Sequence, residues 1–196
     1  MSRPSLIVID VQSDFCPGGS LAVDHGDEIV PVLNRAIEAF DRANLPIFFT
    51  RDWHPPDHCS FKSQGGIWPT HCVRDTPGAE FYRDLLVPGR AAVIDKGTEP
   101  DRDAYSGFDG TDLADKLRRS GVTEVFLGGL ATDYCVKETA LDALRAGMTV
   151  NLMLDCVKGV NLRKGDSQDA IRTLASRGVR ISDSKEAIGA VRRAQQ

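Results

Sequence analysis

The sequence predicts a three-layer α/β fold, a doubly wound and mainly parallel six-stranded sheet with helices on both faces. Three observations carry this prediction. Short β-type apolar runs alternate with amphipathic helical stretches, the pattern of parallel strands joined by helical crossovers. Three helical stretches end in glycine and then enter a strand, at Gly121, Gly147 and Gly178, as left-handed C-terminal caps do. The length of 196 residues suits one core, so residues 1–196 read as a single domain without linker, repeat or low-complexity tract.

In chain order the strands are expected at Ser5–Val11, Pro46–Arg51, Ala91–Asp95, Glu124–Gly128, Thr149–Cys156 and Val179–Ser182. Between the first two, Ile29, Leu33, Ile37 and Phe40 recur at helical spacing while Glu28, Arg35 and Asp41 fall on other faces, so that helix packs on the sheet by one side. After the fourth strand a helix is expected over Val136–Ala146, with Thr132 in position to cap it. One segment breaks the alternation. Residues 52–78 lack apolar periodicity, contain four prolines and the pair Gly65-Gly66, and hold His54, His58 and His71 out of 4 histidines in the chain. A loop of that length inside a compact domain is functional or disordered, and Trp53, Phe61, Ile67 and Trp68 argue against disorder.

Composition removes several classes of function. At 41% hydrophobic and 27% charged residues, with 18 Gly and 10 Pro spread along the chain, the sequence is neither disordered, collagenous nor a coiled coil. Lys+Arg 24 against Asp+Glu 28 gives a net charge of −4, and no basic stripe offers itself to phosphates, so nucleic acid is not an expected partner. The opening MSRPSLIVID holds only a short apolar run ending on Asp10, too short for a secretory signal or a membrane span. Five cysteines, odd in number and without a CxxC pair, fit free thiols in a reducing compartment. A cytoplasmic protein with no membrane partner is expected. The number of chains in the assembly, a homo-oligomer included, is left open.

In an open parallel sheet, ligands bind outside the carboxyl ends of the strands. There the sequence supplies Asp10 after the first strand, Asp52 and His54 after the second, Lys96 after the third and Cys135 after the fourth. A thiol in a first helical turn, with an ammonium nearby, is expected to have a lowered pKa and to act as a nucleophile; a lone cysteine also reads as a small buried hydrophobe, a reading that placement at a strand-to-helix turn weakens. Asp10 suits a general base or a carboxylate capping a loop, and Lys96 a site cation or a solvated surface charge. Asp52, His54 and His71 supply one oxygen and two imidazoles, a ligand set for Zn²⁺, Fe²⁺ or Mn²⁺, with His58 and Ser60 as further candidates. Phe15, Trp68 and Tyr105 fall in the neighbouring loops, as walls for a flat ring or as loop anchors.

These residues sit in the segments Asp10-Val11-Gln12-Ser13-Asp14-Phe15-Cys16-Pro17-Gly18-Gly19, Arg51-Asp52-Trp53-His54-Pro55, Trp68-Pro69-Thr70-His71-Cys72, Asp95-Lys96-Gly97-Thr98, Tyr105-Ser106-Gly107-Phe108 and Gly128-Gly129-Leu130-Ala131-Thr132-Asp133-Tyr134-Cys135. In this order they resemble the isochorismatase-like cysteine hydrolases. The Asp-Trp-His and Trp-Pro-x-His segments resemble the nicotinamidase/pyrazinamidase branch of that superfamily in particular. The resemblance implies an amidohydrolase that turns nicotinamide, and pyrazinamide, into the acid and ammonia through a thioester, an activity that would feed NAD salvage. It implies Cys135 as nucleophile, Asp10 as base and Lys96 as the cation between them. It further implies an oxyanion hole from the backbone N–H groups of Ala131 and Cys135 with a cis Leu130-Ala131 bond, and a ring enclosed by Phe15, Trp68 and Tyr105. One divalent metal ion, zinc foremost and iron or manganese as alternatives, would sit on Asp52, His54 and His71. The alternative readings are a metal-free hydrolase of another small amide or vinyl ether, and a non-catalytic binding domain on the same fold.

Overall fold

The computed structural model of the protein describes residues 3–195. Strands β1 (Pro4–Ile9), β2 (Ile47–Asp52), β3 (Ala92–Lys96), β4 (Glu124–Leu130), β5 (Thr149–Lys158) and β6 (Arg180–Ser182) form one sheet in the order β3-β2-β1-β4-β5-β6. Every neighbouring pair is parallel. All six expected strands are present with no end moved by more than two residues.

The central strand shows why the sheet carries helices on both faces. All six residues of β1 are buried, which an all-parallel sheet requires of its inner strands. Successive side chains point to opposite faces. Leu6 and Val8 therefore join a core with Leu33, Ile37 and Phe40 of α1 (Val30–Arg42) and Ala187 and Val191 of α5 (Ser184–Ala194). Ile7 and Ile9 join a second core with Leu117 of α2 (Leu113–Arg119), Ala140 of α3 (Lys137–Arg145) and Leu174 of α4 (Asp166–Ser176). The predicted stripe Ile29, Leu33, Ile37 and Phe40 is buried throughout. Gly121, Gly147 and Gly178 end α2, α3 and α4 with positive φ, as expected of such caps. Among the described residues no helix is long and apolar enough to cross a membrane.

The chain runs outward through β1, β2 and β3 and returns to β4 beside β1. The carboxyl ends of β1 and β4 thus meet where the winding reverses, the usual ligand site of such sheets. The turn leaving β4 differs from expectation. Residues Thr132–Val136 form a π-helical turn, and α3 proper starts at Lys137. Ala131 takes the N-cap position without any side-chain cap bond, so Thr132 is not the cap. Because the wide turn starts at Ala131, whose carbonyl accepts the N–H groups of both Tyr134 and Val136 at 3.1 Å, Thr132 already lies inside it. Such π-turns are frequent at functional sites.

Close approach of β1 and β4 depends on Gly129. Its φ is +133°, and a Cβ there would stand 2.0 Å from the Ile9 carbonyl oxygen. Gly129→Ala should cost more than about 3 kcal/mol, near the upper end of single substitutions. The measurement is the urea unfolding midpoint, and an unchanged midpoint would show that the two strands can part without loss.

Candidate active site

Five segments deliver polar side chains to the junction of β1 and β4, and a buried lysine lies at their centre. Lys96, 1% exposed at the end of β3, places Nζ 2.9 Å from Asp10 Oδ2 and 2.5 Å from Asp52 Oδ1. The same ammonium donates to the Ala104 carbonyl at 3.1 Å and lies 3.5 Å from Cys135 Sγ. A surface role for Lys96 is thereby excluded. Asp10, fully buried, accepts the Thr50 hydroxyl at 2.6 Å on its other oxygen, and Asp10, Asp52 and Cys135 bring one side-chain atom each to within 4.8 Å of the others. Asp10 stands just beyond β1 with φ +49°, a left-handed conformation that a non-glycine residue adopts at a cost.

The charges do not balance by themselves, because two buried carboxylates share one ammonium. Burial opposes the Lys96 charge, but Asp10 and Asp52 outweigh it and hold the ammonium well above its ordinary pKa. Asp10 is raised, burial being the largest cause and the Lys96 charge the main opposition. Asp52 ends lower than an ordinary carboxylate, since Lys96 and His54 overcome its desolvation. The lowered thiol expected for Cys135 is not what the surroundings produce. Burial first, then the charges of Asp10 and Asp52, raise it well above a free cysteine despite Lys96. A thiol in this position needs a base to ionise.

The long segment after β2 is ordered around an aromatic residue. Phe61, 0% exposed, packs edgewise on the rings of His54, His58 and His71 at 5.7, 5.7 and 5.5 Å between centroids. Bridges His54↔Val73 and Phe61↔Trp68 fold the segment back on itself. Asp52, His54 and His71 bring one ligand atom each to within 4.8 Å of the others. His54 Nδ1 is 2.8 Å from the Gly97 carbonyl and His71 Nδ1 2.8 Å from the Pro69 carbonyl. A carbonyl only accepts, so each Nδ1 carries a proton, and the neutral ring then presents its Nε2 lone pair, the arrangement of histidines that ligate through Nε2. Together with the excess negative charge, this donor set fits a divalent cation. His58 is committed elsewhere, its Nδ1 to the Ser60 hydroxyl at 2.8 Å and its Nε2 to the Arg102 carbonyl at 3.1 Å. Ser60 lines the pocket but shares its hydroxyl with His58.

Above these groups lies a cavity walled by Phe15, Trp68, Tyr105 and Tyr134, with Cys135, Ala131, Asp52, His54 and His71 also lining it. The Trp68 indole N–H donates to the Tyr105 hydroxyl at 2.9 Å, joining two loops across the mouth. Tyr134 stands 5.0 Å from Trp68 and 5.7 Å from Tyr105 between ring centroids. The sequence reading passes over Tyr134 and the organising role of Phe61. Adjacency to Cys135 is the only sequence signal for the first, and nothing periodic marks the second. The Leu130-Ala131 bond is cis.

An acid, an ammonium and a thiol buried in mutual contact beside a two-histidine, one-carboxylate cluster define a class of hydrolase rather than a bare fold. The chain belongs to the isochorismatase domain family, which it matches over residues 4–186. Within that family its similarity runs to nicotinamidases. It is 39% identical to nicotinamidase of Escherichia coli K12 over 202 residues, 92% of this chain and 95% of the relative. It is 42% identical to nicotinamidase/pyrazinamidase of Mycobacterium tuberculosis, over 80% of this chain and 87% of the relative. In structure it resembles the pyrazinamidase of Pyrococcus horikoshii in complex with zinc, with a TM-score of 0.89 and 50% identity over 92% of this chain and 99% of the other.

Replacing Lys96 by Met tests the charge balance. Two buried carboxylates would lose their cation, a change expected to cost about 3–5 kcal/mol at neutral pH. Without Lys96 the folded-state pKa of Asp10, already raised, climbs further, and that of Asp52 rises from its lowered position above its unfolded value. The penalty is then fullest at about pH 7.5 and shrinks toward about pH 5 as the carboxylates take protons. Urea unfolding of both proteins at the two pH values checks this, and a pH-independent difference would contradict it.

Proposed function

We propose that this amidohydrolase converts nicotinamide and water to nicotinate and ammonia, and accepts pyrazinamide in the same pocket. The observation that carries the reading is the contact of buried Lys96 with both Asp10 and Cys135, where Cys135 lines an aromatic-walled cavity that Asp52, His54 and His71 also line. The names of the relatives at 39% and 42% identity support the substrate. A metal-free hydrolase or a binding domain leaves the two imidazole lone pairs and the buried thiol without a task.

Asp10 takes the Cys135 proton as Sγ attacks the amide carbon, a transfer favoured by the raised pKa of the carboxylate. The N–H groups of Ala131 and Cys135 receive the oxyanion. Asp10 then gives its proton to the leaving nitrogen, ammonia departs and the acyl group remains on Sγ as a thioester. A water deprotonated by Asp10 attacks that carbon, nicotinate leaves, and the proton returns to Cys135. Throughout, Lys96 holds Asp10 in place and offsets its charge. Phe15, Trp68, Tyr105 and Tyr134 enclose the ring and exclude bulk water. Asp52, His54 and His71 would hold one divalent metal ion, zinc by analogy with the Pyrococcus horikoshii structure, and that ion would supply a Lewis acid to orient the ring through its nitrogen.

Ammonia release from a panel of small amides, with metal analysis of the same preparation, tests the reading. Nicotinamide should be hydrolysed and about one equivalent of metal found; no release from any amide would refute it. Cys135→Ala should lose at least about 10³-fold in kcat/KM with fold and metal content intact. The acid limb of kcat/KM should lie above the ordinary carboxylate value of 3.8, because protonating Asp10 removes the base. Asp10→Asn should stay inactive at alkaline pH, and rescue there would rule Asp10 out as proton carrier.

His71→Ala separates ring positioning from the nucleophile's surroundings. Metal content should fall and KM for nicotinamide rise strongly, the segment around Gly65-Gly66 should become protease-sensitive, and Cys135 should still react with iodoacetamide. Normal kinetics in a metal-free variant would refute the positioning role.

A further inference from the structure

Among the fully buried polar side chains beside the site, Gln12 is one that the chemistry above leaves unused. Gln12 is 0% exposed and is not part of the cavity wall. Its Oε1 accepts the Asp52 backbone N–H at 2.7 Å, while Nε2 donates to the Asp52 carbonyl and to the Ala79 carbonyl, each at 2.8 Å. Both N–H groups of the amide are therefore used, and the same residue, Asp52, is held at its N–H and at its C=O.

The backbone explains why a side chain does this. Parallel pairing of β1 with β2 runs to Ile9↔Thr50, and the Asp10 N–H still reaches the Thr50 carbonyl at 3.1 Å. There the chain turns away at the positive φ of Asp10, leaving Asp52 without a rung from β1. The Gln12 amide supplies one, offering a donor and an acceptor as a peptide group would. On its other side Asp52 is paired with Lys96 of β3, and the Trp53 N–H donates to the Lys96 carbonyl at 2.9 Å. Asp52 is thus clamped from both neighbours, and it is the residue whose carboxylate serves both Lys96, at 2.5 Å, and His54, at 3.6 Å.

We propose that Gln12 is a positioning residue for metal binding: by pinning the Asp52 backbone it fixes where the carboxylate stands between Lys96 and the two histidines. The inference rests on reading Asp52, His54 and His71 as the metal ligands. Groups that orient ligands from behind in this way change metal affinity by about 10- to 100-fold when removed.

The test uses the full-length chain stripped of metal, with Zn²⁺ alone as probe in competition with a chromophoric chelator. Gln12→Met keeps the length and removes all three hydrogen bonds; Gln12→Glu keeps an acceptor for the Asp52 N–H but turns an oxygen toward two carbonyls. Both should bind Zn²⁺ about 10- to 100-fold more weakly than wild type, and the rise in Tm on adding Zn²⁺ should shrink accordingly. Gln12→Asn, which withdraws the amide by one methylene, gives the same reading if Gln12→Met does not accumulate folded. Variants that lower the Tm of the metal-free protein yet bind Zn²⁺ within twofold of wild type would show Gln12 to be structural only and overturn the proposal. A wild-type chain that binds no Zn²⁺ would remove the metal reading and this inference with it, whereas variants indistinguishable from a zinc-binding wild type would overturn this inference alone.

Discussion

Everything in the site depends on one ammonium shared by two buried carboxylates. Lys96 is the only cation in contact with both Asp10 and Asp52 among the described residues, and it is completely enclosed. Isolated buried charges of this kind cost several kcal/mol each, so they persist only where geometry is fixed and the remaining polar positions are filled. The filling is visible. Thr50 completes Asp10, the Ala104 carbonyl completes Lys96, and the Gln12 amide completes the backbone of Asp52.

The sheet makes that geometry affordable. Asp10, Asp52 and Lys96 come from the ends of three adjacent parallel strands, β1, β2 and β3, so their backbone positions are set by ladder hydrogen bonds and by two cores rather than by loops. Cys135 arrives from the opposite side of the winding reversal, on the π-turn that follows β4. Asp10, Asp52 and Lys96 therefore sit on rigid supports, while the cavity walls Phe15, Trp68 and Tyr105 lie outside the sheet, with Trp68 tied to Tyr105 by a side-chain hydrogen bond.

Much of this was legible in the sequence because strand ends are marked by abrupt changes from apolar to polar residues. Ile9 to Asp10 and Ile94 through Asp95 to Lys96 are such changes, and parallel order converts them into one shared edge. What stayed hidden depends on distance in space. The raised thiol of Cys135 could not be read locally, since it comes from burial and from Asp10 and Asp52, far away in the chain. The cap at Ala131 was hidden because a π-turn has no clear residue signature. Phe61 looked like any loop aromatic until three imidazoles were found around it. Gln12 carried no charge and no periodicity to mark it, and its importance lies in whose backbone it touches.

The folding of the segment after β2 bears on how such chains can diverge. His54 pairs with Val73 at the base of the excursion, and Phe61 pairs with Trp68 higher up, so the chain leaves and re-enters the ligand region through fixed gates. Residues 62–65 beyond the upper gate are exposed, and Gly65 has open space where a side chain would stand. Insertions or deletions at that tip pass no strain down to His54 or His71. A change of length at that tip lies beyond both bridges, so the pairing of His54 with Val73, and with it the separation of His54 and His71 in space, is set below the point where length would change.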